Sequence, residues 1–149
     1  MKLRSYQVLF LVLVACFLGG CGGEDEEALT KAEYVKQGEA ICERHNKKKD
    51  AALLKAFEDL SKSGKTAGPK AEEEVIADVA LPPVAQMTEE LADLGLPEEQ
   101  EAEAEKFISE MEAAVSEVEE DPSRALTAEP FGQAKASAKR LGFTACRNF

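Results

Sequence analysis

The four cysteines of this 149-residue chain carry its most distinctive chemistry, and their contexts differ. Cys21 follows Leu18-Gly19-Gly20. A Leu three residues before a Cys, with two small residues between, is the lipobox pattern: small side chains admit the extended chain to a peptidase, and the thiol is where a diacylglyceryl group is attached. Upstream, Lys2 and Arg4 stand without an acid before the almost wholly apolar stretch from Val8 to Leu18, the charged-then-apolar order of a secretory signal. That run ends well short of the ~20 apolar residues that span a bilayer. The expected organisation is a signal over residues 1–20, lipidated Cys21 opening a solvated Gly-Gly and acidic tether over 21–29, and a domain over 30–149. Two or three acyl chains make a stable anchor where one does not, which places the domain on the extracytoplasmic face of the cell membrane.

Cys16 leaves with such a signal and Cys21 carries lipid, so Cys42 and Cys146 are the remaining thiols, in an oxidising compartment, and are expected to pair. The alternative is zinc. Cys42 and His45, three residues apart on a helix, share a face and with Cys146 would offer three ligands, but a disulfide uses both sulfurs, so no metal and no cofactor is implied. Nucleophilic catalysis lacks its parts: His45 is the one histidine, there is no Gly-x-Ser-x-Gly elbow, and 29 acids offer carboxylate pairs everywhere without singling one out. The expectation is a non-enzyme.

Loss of residues 1–20 takes two of the 18 basic residues and none of the 29 acids, leaving 129 residues with formal charge −13. That charge disfavours nucleic acid as a partner. It is unevenly spread: Arg44 to Lys70 holds eight bases and three acids, Glu72 to Asp121 eighteen acids and only Lys106 against them. Ala, Glu, Leu and Lys dominate and Trp is absent, a composition of helices.

The elements that must position these residues follow from periodicity. Thr30-Lys31-Ala32-Glu33 is a capping box, and Tyr34, Gly38, Ile41, Cys42 and His45 recur at helical steps, with Leu53, Leu54, Phe57 and Leu60 continuing the stripe to about Lys62. Gly64, Gly68 and Pro69 break that helix. A second, with Val75, Ile76 and Val79 inward, is expected to stop or kink at Pro82-Pro83 and resume to Leu94. Pro97 with Glu98 and Glu99 starts a third, which runs to about Glu120. Asp121-Pro122 makes a turn, and Pro130 opens a last helix ending at Gly142. The fold class is all-α, an antiparallel bundle of about four helices, the second broken at Pro82-Pro83, closed by one disulfide.

Lys31-Ala32-Glu33-Tyr34-Val35, Ala40-Ile41-Cys42, Leu81-Pro82-Pro83, Asp121-Pro122, Phe131-Gly132 and Leu141 to Cys146, in that order, resemble a group of small actinobacterial lipoproteins with no assigned activity. The resemblance covers nearly the whole chain after Cys21 and implies a helical, disulfide-closed, membrane-anchored domain.

Two functional expectations follow. The first is an anchored interaction module of the cell envelope whose partner surface is the basic run Arg44, Lys47, Lys48 and Lys49, facing an envelope protein or an acidic cell-wall polymer. The second is a small-molecule or lipid carrier with an inter-helix cavity opened by the Pro82-Pro83 kink between Val79, Met87, Leu91, Phe107 and Met111.

Overall fold

A computed structural model describes residues 29–63 and 68–148; Cys21, the signal before it, the tether to residue 28 and the break at Gly64 lie outside the described residues. Helix α1 (Lys31–Lys62) begins where the capping box predicts. The Thr30 hydroxyl accepts the Glu33 N–H at 3.3 Å, and the Glu33 carboxylate accepts the Thr30 N–H at 3.1 Å. Gly68 and Pro69 then open α2 (Pro69–Val75).

The second helical rod does not turn back at the prolines. α2 passes into a π-helical stretch (Ile76–Ala80) and then into α3 (Leu81–Ala92), with Val75, Ala80 and Leu81 all in right-handed helical dihedrals. The Leu81 N–H reaches the Ile76 carbonyl, one residue further back than an α ladder would. The expected interruption is thus a widened turn, ending where Pro82 and Pro83, which have no N–H to give, enter the ladder. Pro97 heads a 3₁₀ turn (Glu98–Gln100) before α4 (Glu101–Glu120), and an isolated backbone bridge ties Leu29 to Pro97. The Asp121 carboxylate accepts from the Ser123 N–H at 3.1 Å and the Ser123 hydroxyl at 2.6 Å, shaping the turn into short α5 (Arg124–Thr127). α6 (Gly132–Leu141) ends at Gly142, whose φ of 98° is left-handed and suits a residue without Cβ. The N–H of Phe143 then bonds Ala138 at 2.9 Å, turning the chain toward α1.

The result is the expected all-α antiparallel bundle. α1 packs on α3, α3 on α4, α4 on α6, and a C-terminal turn (Ala145–Arg147) returns to α1, where Cys42 and Cys146 are joined with their Cα atoms 5.0 Å apart. The Phe143 ring sits in the core, its centroid 5.6 Å from Tyr34 and 5.5 Å from Phe107. α1 has no side chain at Gly38, beneath that ring; a Cβ there would lie 2.6 Å from Phe143 Cε1. Burial of Tyr34 pushes its phenol up to about 12.

The stripe along α1 is covered only in part. Tyr34 to His45 is buried as expected, but Leu54 and Phe57 are 64% and 51% exposed. At ~1.5 Å per residue α1 is about 48 Å long and the rod from Pro69 to Ala92 about 36 Å, and toward the end of α1 Leu53 and Leu60 are only half-buried.

Two outcomes follow. Cys146→Ser should lower the free energy of unfolding by about 2–5 kcal/mol, because the bridge closes a loop with 104 residues of separation; urea midpoints with and without reductant check this, the serine variant being insensitive to reductant. Gly38→Ala should destabilise by about 1–3 kcal/mol despite alanine's better helix propensity, because the wedged Phe143 ring cannot swing aside; an unchanged midpoint would show that it can.

Candidate functional site

The four basic residues expected to form one partner surface go to different places. Arg44 is committed: its guanidinium pairs with Glu90 Oε2 on α3, and Glu90 Oε1 lies 2.9 Å from His45 Nε2. Because a carboxylate only accepts, Nε2 of His45 carries the proton. His45 is 1% exposed, so the expected helix-face histidine lies in the interior, with Nδ1 lacking a hydrogen-bond partner among the described residues. The hydrogen bond from His45, with the charges of Arg44 and Lys48 behind it, holds the Glu90 carboxyl below the usual range.

Lys47 points to solvent 3.9 Å from Glu43, and Lys48 is likewise exposed. Lys49 turns inward. Its side chain is 12% exposed and its ammonium donates to the Asn148 carbonyl at 2.8 Å. The expected patch is therefore corrected at Lys49: Arg44, half-exposed in its pair with Glu90, remains outward with Lys47 and Lys48, and the exposed face continues along α1 past Leu54, Lys55, Phe57 and Lys62.

Lys49 is the last rung of a ladder that the sequence reading missed. The Glu39 carboxylate accepts the N–H groups of Thr144 and Ala145, the latter at 2.7 Å; Asn46 Nδ2 donates to the Ala145 carbonyl at 2.9 Å. Gly38 and Glu39, Cys42, Asn46 and Lys49 occupy successive turns of one α1 face. The signal was present: once Cys42 is bonded to Cys146, the residues one turn either side must meet 143–148.

The expected cavity is not where the kink was thought to open it. Met87, Leu91, Phe107 and Met111 are 0% exposed and fill the core. Val79 stands apart from them, half-buried in a surface groove with Ala52, Ala56, Pro82 and Pro83. The helix continues through the prolines, so its partners close over it. A pocket of about 230 Å³ opens instead beyond the π stretch, where Ile76, Ala80 and Leu81 face Val118 of α4 and Phe131 before α6. Lys49 and Lys135 also line it.

Glu90→Gln should cost no more than about 1 kcal/mol at pH 7, since Arg44 and Glu90 are half-exposed. The sign with pH is fixed by the depressed Glu90 carboxyl: its contribution is present above the unfolded carboxylate value of about 4.3 and is lost as pH falls through the lower folded value. Urea midpoints of wild type and variant should therefore converge as the pH is lowered below about 4.3; a constant gap would deny Glu90 this role.

Compared with known protein families, curated proteins and solved structures, the chain matches none.

Proposed function

We propose that this chain is a lipid-anchored, non-enzymatic binding module of the cell envelope, held at the membrane through Cys21, and that the distal half of α1 docks on an acidic face of an envelope protein. The observation that carries it is the exposure of Leu54 and Phe57 among Lys47, Lys48, Lys55 and Lys62 on a strongly acidic protein. A desolvatable aromatic centre inside a charged rim is the anatomy of a protein–protein contact, and a hydrophilic wall polymer would leave Leu54 and Phe57 without a role. The Leu18-Gly19-Gly20-Cys21 pattern and the resemblance to actinobacterial lipoproteins support the anchor. Leu29 is eight positions beyond Cys21, a span of at most about 28 Å, enough for α1 to meet membrane-proximal partners. Tethering also raises the effective concentration at such a partner.

The test is photo-crosslinking from position 54 of the full-length chain in its native membrane. A single acidic protein should be captured, salt-sensitively, from the wild type. Phe57→Ser should weaken that capture at least ~30-fold, the ~2 kcal/mol of a hot-spot aromatic. Lys47, Lys48, Lys55 and Lys62 changed together to Gln should weaken it as well, and Cys21→Ala should release the chain from the membrane fraction. Identical crosslinks from wild type and both surface variants, or capture of phospholipid alone, would overturn the docking reading. Retention of the Cys21→Ala chain would overturn the anchor.

A further inference from the structure

We propose that the partner of the exposed α1 face is a second copy of this chain: Leu54 and Phe57 of one copy lie on an apolar groove between α3 and α4 of the other, and the lysines around them meet the acids at its rim. This rests on the docking and anchor readings above and names the partner they leave open.

The groove, about 460 Å³, has a floor of Ala77, Leu81, Pro82 and Ala85 and a rim that carries Glu89 and Glu119. Ala77, Leu81, Ala85 and Glu89 recur every four residues along the π stretch and α3, so they share one face, and the alanines on either side of Leu81 leave that face concave. The volume lies in the range that seats a ligand-sized apolar group.

Charge selects what enters. Glu89 and Glu119 are exposed, and neither makes an ion pair among the described residues. They belong to the acidic stretch from Glu72 to Asp121, where Lys106 is the one base. On α1, Lys47 and Lys62 reach only Glu43 and Glu58 of their own helix, at 3.9 and 3.5 Å, exposed pairs that hold little. An apolar knob within a basic rim thus has an apolar socket within an acidic rim as its complement.

Height makes a second copy the occupant. Ala52, Lys55, Ala56 and Asp59 of α1 share a surface groove with Val79, Pro82 and Pro83, so Leu54 and Phe57 stand level with the socket along the bundle. Two copies anchored through Cys21 in one leaflet and standing in parallel therefore present knob and socket at the same distance from the membrane. For an unrelated partner that match is a coincidence; for a second copy it is automatic. The contact is small, and the net negative charge of each copy opposes it. Physiological salt screens that repulsion beyond ~8 Å, and confinement to one membrane raises the effective concentration of each copy at the other. Because knob and socket are different surfaces, the contact closes into a pair when both engage and otherwise extends into a row.

The test expresses two epitope-tagged forms of the full-length chain together in the native membrane, one with a photo-crosslinker at position 54. The crosslink should join the two tags and map within residues 77–89 of the second copy. Glu89→Lys with Glu119→Lys on the second copy should lower the joining at least ~10-fold, and Lys47→Glu with Lys55→Glu on the crosslinking copy should restore it, since like charges across a contact repel and opposite ones attract. All four sites are exposed, so these changes leave the core intact. Ala85→Lys, which puts a charge on the floor, should abolish the joining, with circular dichroism reporting whether the helices are retained. Capture of a different acidic protein instead overturns this inference and leaves the docking reading standing; capture of no protein overturns both. A crosslink between copies that maps outside the groove, or that the Glu89 and Glu119 changes leave unmoved, overturns it as well.

Discussion

The return of residues 143–148 onto α1 is the constraint from which the rest of the arrangement follows. An antiparallel bundle of helices can close in several ways, and α6 by itself contacts α4 more than it contacts α1. The disulfide between Cys42 and Cys146 removes that freedom, and the contacts around it use successive turns of one face: Gly38 under Phe143, Glu39 on the amides of Thr144 and Ala145, Asn46 on the Ala145 carbonyl, Lys49 on the Asn148 carbonyl. Each of these is a local contact worth about 1–3 kcal/mol, whereas the cross-link acts on the unfolded chain as a whole. The left-handed Gly142 matters for the same reason, since it aims the Phe143 ring at Tyr34 and Phe107.

Closing the bundle this way spends one face of α1 on the C-terminus and the adjacent one on α3, with Arg44 and His45 drawn to Glu90. What remains outward is the distal half of the helix, where the local excess of bases sits. Attraction between basic α1 and the acidic later helices is visible in the Arg44–Glu90 pair, and Arg124–Glu117 and Arg140–Glu103 add local pairs elsewhere. All three are half-exposed, so they orient the helices more than they hold them. Among the described residues past Asp50, Lys62 pairs only with Glu58 of its own helix, at 3.5 Å, and no ion pair joins Lys55 or Lys62 to another helix, which is why the docking surface is read there.

The two prolines shape the molecule without breaking it. A π-helical turn absorbs the missing donors, lets the rod run on, and keeps Met87 and Leu91 packed against Phe107 and Met111 as core. The same widened turn forms a wall of the apolar pocket on the other side. A sequence feature that suggested a cavity within the bundle therefore produces one beside it.

Much of this was legible from the chain. The capping box at Thr30, the helical stripes, the glycine at 142 and the two remaining cysteines depend on short-range backbone chemistry or on counting, and they specify the helices, their ends and the bridge. Three matters were settled only by tertiary packing. Whether Leu54 and Phe57 are covered depends on the relative lengths of α1 and its neighbours; whether Pro82-Pro83 stops a helix depends on whether neighbouring packing can hold a five-residue ladder; and the fate of Arg44, Lys47, Lys48 and Lys49 depends on which helix face the C-terminus occupies. Arg44, Lys47 and Lys48 stand at i, i+3 and i+4 and share a helix face, whereas Lys49 points ~100° from Lys48, and only the packed bundle decides that its direction is the one the C-terminus occupies.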